Sequence, residues 1–284
     1  MDETGGSLVE DWGNGVHLFR WTKGFYLTAF LVTDEGVVAI DPIDREAARA
    51  YRRAIESLTR APITAILYSH DHRDHIVGAS ELSTTAEVFA HPKTSERIAK
   101  RRDPDILPPT REVRDGEVLA FGRHRIETHY FGPNHSPSNL LFGLPSGRGR
   151  ILMWVDGVEP GVAPYRELPD TDVAGYLESL HRASELSFDL VMGGHTGPDN
   201  RAWVADTGRY LSRLLDATRD EFGKSGGQQA EPGEDGVTMT ERWRAGICTR
   251  AAARIGDEFS NWRGYKEWAP RTADRLLSYL ITGN

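Results

Sequence analysis

The sequence has little cysteine, no long apolar run and no surplus of positive charge. Cys248 is the only cysteine, which excludes an internal disulfide, a CxxC motif and a zinc site built from thiolates. No segment approaches the roughly 18 consecutive apolar residues of a membrane-spanning helix. Acidic residues outnumber basic ones by 42 to 34, which argues against the electropositive surface that nucleic-acid binding usually requires. A metal site in this chain must therefore use histidine and carboxylate ligands.

The beginning of the sequence also lacks the features of a secretory leader. Residues 1–15 read MDETGGSLVEDWGNG, in which no basic stretch is followed by an apolar one. Together with the lone cysteine, this predicts a protein of a reducing compartment, the cytoplasm. The 284 residues, 39% of them hydrophobic, suffice for one large domain or for one domain with an appendage.

Strand and helix patterns alternate along most of the chain. Runs of β-branched and aromatic residues broken by turn signals predict strands in the N-terminal third. Apolar residues at helical spacing predict a helix over 45–60 that ends before Pro62. Further along, the segments NLLFGL and RILMWVD predict a hairpin through the turn PSGRGR. We therefore expect an α/β fold in which helices cover the outside of β-sheets.

A Gly-rich, polar and acidic stretch divides the chain into two parts. Residues 223–237 read GKSGGQQAEPGEDGV, which predicts a flexible connector or a loop tip. Beyond it, Thr240 is expected to cap a helix, and Pro270 is expected in the first turn of a last helix. We predict a main domain over residues 1–222. The connector and a helical segment that packs on the core would occupy residues 223–284.

Three histidines and two aspartates fall within six consecutive positions soon after an apolar run. Residues 66–79 read ILYSHDHRDHIVGA. Side chains alternate along an extended chain, so His70, His72 and Asp74 project to one side, and His75 joins them only if the chain turns. Imidazole and carboxylate are the ligands that zinc accepts in the absence of thiolates. A solvated surface loop is the alternative, but four donors in the pattern HxHxDH favour a metal site.

Three later residues, each at or near the end of a strand pattern, can complete such a site. His135 lies in the loop YFGPNHSPSN, Asp156 ends the strand pattern ILMWVD, and His195 follows FDLVMGG. A buried carboxylate without a partner is costly, and the two glycines before His195 let the backbone approach another group closely. Taken alone, each residue is more often a hydrogen-bonded structural group, whereas the combination with HxHxDH forms a recognisable set.

The combination of HxHxDH at 70–75 with His135, Asp156 and His195 resembles the ligand set of the metallo-β-lactamase-fold superfamily. The similarity extends over about residues 16–222, with GPNHS in place of the more usual Gly-His-Thr and GGHT where PGHG is commoner. The resemblance implies an αββα sandwich, that is, two mixed β-sheets flanked by helices, with the site along one edge between the sheets. The main domain would then be the catalytic one.

By motif position, the resemblance implies a binuclear zinc site, with iron or manganese as alternative metals. One zinc would be held by three histidines: His70, His72 and His135. The second would be held by a mixed set: Asp74, His75 and His195. Asp156 would bridge both ions. The other histidines fall outside the motif and are expected to be structural or surface residues: His17, His91, His124, His129 and His181.

These ligands indicate hydrolysis by a metal-bound hydroxide. Two divalent ions roughly 3.5–4 Å apart share a water molecule and lower its pKa towards neutrality. The sequence has no GxSxG motif, and Cys248 lies in a predicted helix away from the ligands, so covalent catalysis is not expected. Asp74 is expected to be catalytic, because it would ligate the second metal and orient the hydroxide. The predicted activity is a zinc-dependent hydrolase of a small-molecule ester, lactone, thioester or amide.

Five further residues are candidates for supporting the metal site or binding the substrate. Asp41 is expected either to fix a ligand histidine or to cap the helix that follows. Asn134 and Asn139 flank the loop histidine and either point their amides into the pocket or close the loop. Tyr165 and Arg166 follow the strand-end aspartate and should overhang the site. There, Arg166 either pairs with a substrate carboxylate or is a solvated loop arginine.

Other functions share this ligand chemistry. A nuclease of the RNA-processing type uses the same ligands, although the acidic charge disfavours it. A mononuclear iron enzyme that oxidises sulphur would use part of the set, whereas a non-catalytic scaffold is disfavoured because no ligand position is lost. We expect a small-molecule substrate and no nucleic-acid or membrane partner, and the oligomeric state, a homodimer included, is left open. The ligands do not identify the substrate, because loops line the pocket.

Overall fold

The computed structural model describes residues 6–283 and contains two β-sheets packed face to face between layers of helices. The strands of the first sheet follow one another in chain order: β1 (Ser7–Asp11), β2 (Val16–Trp21), β3 (Tyr26–Thr33), β4 (Gly36–Ile40), β5 (Ile63–Leu67), β6 (Glu87–Ala90) and β7 (Arg111–Glu112). The second sheet runs in reverse order from β13 to β8: β8 (Val118–Phe121), β9 (His124–His129), β10 (Leu141–Ser146), β11 (Gly149–Met153), β12 (Leu190–Met192) and β13 (Asp199–Asn200).

The helices lie on the outer face of each sheet. Their bounds are α1 (Arg45–Leu58), α2 (Arg73–Ile76), α3 (Ala79–Leu82), α4 (Pro92–Arg101), α5 (Val173–Ser184), α6 (Ala202–Lys224), α7 (Gly236–Arg254), α8 (Gly256–Phe259) and α9 (Tyr265–Thr282). Buried residues of α1, α3 and α4 cover the first sheet, and those of α5, α6, α7 and α9 cover the second. Both sheets mix parallel and antiparallel pairs. The predicted αββα sandwich is therefore confirmed.

The alternation of side chains along the strands explains why two apolar cores form. Leu18 and Leu31 point towards the second sheet, whereas their neighbours Phe19 and Phe30 point towards α1. The ring of Tyr51 on α1 stacks on Phe19 with a centroid distance of 4.5 Å. Since successive side chains of a strand face opposite sides, a central strand covered on both faces reads as a continuous apolar run.

Parallel strand pairs bring four polar strand ends to one edge of the sandwich. In the first sheet, β4 and β5 are parallel and lead into Asp41 and His70. In the second sheet, β11 and β12 are parallel and lead towards Asp156 and His195. Because the carboxyl ends of parallel strands lie at the same edge, residues far apart in sequence converge there.

The predicted helix over 45–60 is confirmed as α1, but the predicted start of α7 was wrong. The side chain of Asp235 accepts hydrogen bonds from the backbone N–H groups of Val237 and Thr238, so Asp235 caps α7. Thr240 lies inside the helix and donates its hydroxyl hydrogen bond to the carbonyl of Gly236. A carboxylate directly before the first helical residue reaches two free N–H groups, and this favours the earlier start.

The position of Pro270 was also predicted wrongly. Pro270 lies within α9, which begins after Gly264 in a left-handed conformation with φ of 75°. The turn before Pro270 buries Tyr265 and Ala269 in the core that α6 and α7 share. Packing of these side chains offsets the one hydrogen bond that proline cannot donate.

The C-terminal helices pack on the second sheet's helical layer. Residues 225–235, between α6 and α7, carry neither helix nor strand. The division of the chain at residue 222 stays a prediction. Residues 1–5, which begin the predicted main domain and the N-terminal stretch compared with a secretory leader, lie outside the described residues, and so does residue 284 at the end of the second part. None of the helices within residues 6–283 has the length and apolar character of a membrane-spanning segment.

Candidate metal centre

A short helix turns the HxHxDH segment so that its histidines face one point. His72 is the residue before α2, and the chain turns there instead of continuing as a strand. The backbone of His75 accepts a hydrogen bond from Ile43, and Gly78 donates one to Ile43, so α2 is tied to the start of α1. His70 and His75 are both almost completely buried. The turn that the alternation left open therefore brings His75 to the same side as His70.

The predicted ligands form two groups that share one carboxylate. Within each group, one ligand atom from every residue lies within 4.8 Å of the others. The first group contains His70, His72, His135 and Asp156. The second contains His75, Asp156 and His195. The two groups match the predicted two-metal arrangement except for Asp74, and their role as ligands stays a prediction.

Asp156 lies at the centre of the cluster. Its Oδ2 is 3.7 Å from Nε2 of His70, 3.5 Å from Nε2 of His135 and 3.1 Å from Nε2 of His75. Its Oδ1 is 3.3 Å from Nε2 of His195. One oxygen thus faces both groups and the other faces only the second group. A carboxylate in this position can bridge two ions.

Asp74 lies at the margin of the cluster. Its Oδ2 is 3.8 Å from Nε2 of His75 and accepts a hydrogen bond of 2.9 Å from the hydroxyl of Tyr26. More than half of the Asp74 side chain is exposed. The ring of Tyr26 lies 4.7 Å from that of His195. Tyr26, which the sequence analysis did not identify, therefore links the start of β3 to the second group.

Several buried polar atoms of the cluster form no hydrogen bond of regular geometry within the described residues, although some lie close to one another. They are Nε2 of His70, Nε2 of His75 and Oδ1 of Asp156. A buried polar atom without a partner costs about 1–3 kcal/mol, so a convergence of such atoms at one point calls for a ligand. Imidazole nitrogens and a carboxylate are the donors that zinc and similar divalent ions accept. The residues present therefore fit a metal site.

The pKa shifts of the cluster favour the neutral, metal-binding form of two histidines and place positive charge beside Asp156. Burial and the neighbouring imidazoles lower the pKa of His70 well below its usual range, and burial lowers the pKa of His135 to about 4. Burial opposes a charge on His75, but Asp156 and the other nearby carboxylates outweigh it and raise the pKa of His75 to about 10. Although burial acts in the opposite direction, His75 holds the pKa of Asp156 well below its usual range. The carboxylate thus attracts positive charge, which a metal ion can supply.

The second ring nitrogen of several histidines has its own partner. Nδ1 of His70 lies 2.9 Å from Oγ of Ser69, and Nδ1 of His195 lies 2.9 Å from the carbonyl oxygen of Phe25. Nε2 of His72 lies 3.3 Å from Oδ2 of Asp170. Such contacts orient a ligand ring and determine which nitrogen carries the proton. In each of these rings, the other nitrogen is directed at the cluster.

Asp41 supports the cluster and does not cap α1. It accepts hydrogen bonds from the backbone N–H and the hydroxyl of Ser69, at 2.8 and 2.5 Å, and lies 3.8 Å from Nδ1 of His75. Burial raises the pKa of Asp41 to about 6. The cap of α1 is Asp44, which accepts a hydrogen bond from the backbone of Ala47. The capping alternative for Asp41 is therefore wrong, because two residues separate it from the capping position.

The two predicted asparagines close loops. The side-chain oxygen of Asn134 accepts a hydrogen bond from the backbone of His135, and its amide donates to the carbonyl of Gly132. The amide of Asn139 donates a hydrogen bond of 3.0 Å to the carbonyl of Val155, which precedes Asp156. Both side chains are completely buried. Of the two alternatives for this pair, loop closure agrees with the observed contacts.

The described contacts of Tyr165 and Arg166 are with each other, with Glu167 and with α9. A guanidinium nitrogen of Arg166 is 3.3 Å from the hydroxyl of Tyr165, and the Arg166 carbonyl accepts a hydrogen bond from Thr272 on α9. The ring of Tyr165 meets that of Trp268, also on α9, at 5.1 Å. The Arg166 side chain is 41% exposed, which agrees with a solvated loop arginine.

Glu159 is a supporting residue that the sequence analysis missed. Its carboxylate accepts hydrogen bonds from the backbone N–H groups of Gly194 and His195 and from the hydroxyl of Thr196. A Cβ at Gly193 would overlap this carboxylate, which explains why glycine precedes His195 and confirms that the backbone approaches another group here. Nothing in the sequence around Glu159 distinguishes it from a surface carboxylate.

Comparison with known proteins agrees with this geometry. Residues 38–145 match a family described as a beta-lactamase superfamily domain. The chain is 34% identical over 179 residues to 2,4-dinitroanisole O-demethylase subunit alpha of Nocardioides sp., covering 61% of this chain and 53% of that protein. It is 30% identical over 140 residues to hydroxyacylglutathione hydrolase of Gloeobacter violaceus, covering 48% of this chain and 50% of that protein. The chain thus spans about half the length of the curated relatives it matches.

A solved structure shares the fold at low sequence identity. The metallo-β-lactamase from Pontibacter korlensis superimposes with a TM-score of 0.64 at 17% identity, over 72% of this chain and 99% of that structure. This likeness concerns the arrangement of sheets and helices. Together with the matched family, it confirms the resemblance drawn from the motifs. Residues 38–145 thus match the beta-lactamase superfamily domain, and the described residues have the metallo-β-lactamase fold.

Proposed function

We propose that this protein is a metal-dependent hydrolase that binds two zinc ions and cleaves a small-molecule ester, lactone, thioester or amide. The observation that carries the proposal is the convergence of unpartnered buried atoms of His70, His75 and Asp156 at one point. The hydrolase-type fold of the superfamily supports it. The identity of the metal and the bond cleaved are the parts that experiment must test.

The chain's own residues have separable tasks in this proposal. His70, His72 and His135 would hold one ion, and His75 and His195 the other, with Asp156 between them. The chemistry that two bound ions supply is Lewis acidity and a hydroxide formed from water near neutral pH. Burial of His70, His75 and His135 keeps bulk water from their side of the site, which strengthens the electrostatic interactions there.

Asp74 would orient the attacking water and accept its proton. Tyr26 holds one oxygen of the Asp74 carboxylate through a hydrogen bond of 2.9 Å. The half-exposed side chain of Asp74 leaves it accessible from solvent, so it can contact both a water molecule and an entering substrate. A carboxylate held at one oxygen presents the other in a defined direction. Asp74 is therefore the residue proposed to be catalytic.

The names of the two curated relatives favour a small-molecule substrate. One acts on 2,4-dinitroanisole and the other on hydroxyacylglutathione, and both are small organic molecules. The net charge of −8 agrees with this, because a nucleic-acid substrate would be repelled. We expect no nucleic-acid or membrane partner and a cytoplasmic location. A homodimer is among the oligomeric states to be tested.

Elemental analysis and a hydrolysis screen test the proposal together. We expect close to two zinc ions per purified chain, with turnover of at least one member of a panel of esters, lactones, thioesters and amides, β-lactams included. Asp74→Ala should abolish turnover with an unchanged circular dichroism spectrum. Asp216→Ala, which removes an exposed carboxylate on α6, is the matched control and should retain full turnover.

Three results would contradict the proposal. Full activity of metal-free Asp74→Ala protein would refute the mechanism. One iron per chain with oxygen uptake would instead indicate the mononuclear sulphur-oxidising enzyme, and salt-dependent binding and cleavage of RNA would indicate the nuclease. Because these activities need different metals or substrates, the same protein preparation distinguishes them.

A further inference from the structure

Asp170 connects His72, a proposed ligand, to a partly buried network of charges. It lies in the loop formed by residues 157–172, between Asp156 and α5. A single oxygen, Oδ2, lies 3.3 Å from Nε2 of His72 and 2.7 Å from a terminal guanidinium nitrogen of Arg97. Neither the motif nor the predicted ligand set includes this residue.

The His72 ring is oriented so that its Nε2 has Asp170 as a hydrogen-bond partner. Nδ1 of His72 faces the cluster and lies 3.4 Å from Nε2 of His135. Neutral imidazole carries one proton, so a ring that offers the Nδ1 lone pair to a metal must carry its proton on Nε2. Nε2–H then donates to Oδ2 of Asp170. A carboxylate in this position selects the tautomer that can bind metal.

Arg97 holds Asp170 in place from the other side. Its Nε donates a hydrogen bond of 2.8 Å to Asp71, a completely buried carboxylate between His70 and His72. Asp71 also accepts a hydrogen bond of 2.7 Å from the hydroxyl of Ser138. One guanidinium on α4 therefore joins the motif segment to the 157–172 loop. The planar fork of arginine suits two carboxylates at once.

We propose that Asp170 is a positioning residue that holds His72 with Nε2 protonated and so directs Nδ1 at the first metal. This inference rests on the proposed function, since it assumes that the cluster binds metal. The neighbouring Thr171 holds a second histidine of the first group, because its hydroxyl donates a hydrogen bond of 3.1 Å to the backbone carbonyl of His135. The 157–172 loop thus supports two of the three histidines of the first group.

A purely structural role for Asp170 makes different predictions. In that case the carboxylate only ties the loop to α4 through Arg97. Asp170→Ala and Arg97→Ala should then weaken the binding of both zinc ions, and each variant should do so to the same extent. In the positioning role, Asp170→Ala should weaken one ion selectively and by more than Arg97→Ala does. Asp170→Asn should restore binding, because one amide oxygen can replace Oδ2 in both contacts.

Competition with a chromophoric chelator, using zinc and the full chain, distinguishes the two roles. We expect Asp170→Ala to bind one of its two zinc ions about 10–100-fold more weakly than the wild type, and the other ion equally tightly. Asp170→Asn should stay within about threefold of the wild type, as expected for a retained hydrogen-bond acceptor. Glu167→Gln is the matched control, because it removes a charge from the same loop where Glu167 pairs with Arg271 on α9.

Nitrogen NMR of histidine-labelled, zinc-loaded protein provides a readout independent of affinity and activity. We expect a slowly exchanging Nε2–H signal from His72 that is present in the wild type and in Asp170→Asn and absent from Asp170→Ala. Wild-type protein that binds two zinc ions, with Asp170→Ala binding both as tightly, would overturn the inference alone. Wild-type protein without a zinc site would overturn the proposed function and this inference together. Equal weakening of both ions by Asp170→Ala and Arg97→Ala would establish the structural role instead.

Discussion

Replacement of Glu159 tests how the turn that carries His195 is held. Its half-buried carboxylate accepts hydrogen bonds of 2.7 Å from the N–H of Gly194, 3.2 Å from the N–H of His195 and 2.7 Å from the hydroxyl of Thr196. Glu159→Ala removes the acceptor of all three donors. Glu159→Gln keeps one oxygen for the two backbone groups, and the Thr196 hydroxyl can rotate to accept a hydrogen bond from the new amide.

The two substitutions should therefore differ in cost. A hydrogen bond to a charged group contributes about 1.5–3 kcal/mol, and water that enters the vacated space replaces part of the loss. For three donors, after this compensation by water, we expect Glu159→Ala to lower the free energy of unfolding by about 2–4 kcal/mol. Glu159→Gln should cost about 1 kcal/mol, since it loses the charge but leaves the donors paired.

Urea unfolding followed by tryptophan fluorescence measures both values. Glu185→Ala serves as the control, because its ion pair with His181 at the end of α5 is largely exposed; such a pair contributes less than about 1 kcal/mol. Glu159→Ala should also weaken zinc binding at the second group, since the backbone of His195 loses its partner. An unfolding free energy of Glu159→Ala within about 0.5 kcal/mol of the wild type, the range of neutral surface changes, would refute the reasoning.

Two further predictions concern packing and thiol reactivity. Gly78→Ala should cost about 2–3 kcal/mol in the same urea assay, because its Cβ would lie 2.5 Å from the Cβ of Ala48 and from a backbone carbonyl of α1's start. Gly208→Ala in α6, where the nearest atom is 3.7 Å away, should instead stabilise the protein by about 0.5–1 kcal/mol; equal effects of the two substitutions would contradict the packing argument. Burial raises the pKa of Cys248 to about 12, so iodoacetamide at pH 8 should alkylate it only after unfolding. Alkylation of the folded protein at the rate of a free thiol would be inconsistent with that pKa.

Local patterns were sufficient to predict where the residues of the histidine and aspartate cluster occur. An apolar run followed by HxHxDH indicates a buried strand whose end carries ligands, and the same logic applies to Asp156 and His195. The side chains converge as predicted, because strand ends are set by short-range periodicity and the carboxyl ends of parallel strands share an edge; their role as ligands stays a prediction. The turn at His72 could not be predicted, because α2 forms where His75 and Gly78 meet Ile43, a contact across some thirty residues of sequence.

The sequence-based predictions were wrong or undecided where contacts between distant segments compete with the local conformational preference of a residue. Pro270 was expected in the first turn of a helix, but core packing of the preceding turn extends α9 past it. Asp41 had two equally plausible roles, and only the hydrogen bonds from Ser69 distinguish them. Local propensity is a weak influence of less than about 1 kcal/mol per residue for most amino acids, so tertiary packing overrides it.

By itself, the amino-acid sequence determined the fold and the histidine and carboxylate composition of the cluster, because these side chains follow strand patterns and the lone cysteine offers no thiolate pair. Tertiary structure alone decided which supporting groups reach them. Glu159 and Asp170 look like ordinary loop carboxylates in the sequence, yet they contact His195 and His72. Such partners are chosen by distances between segments that are remote along the chain, and no local pattern encodes those distances.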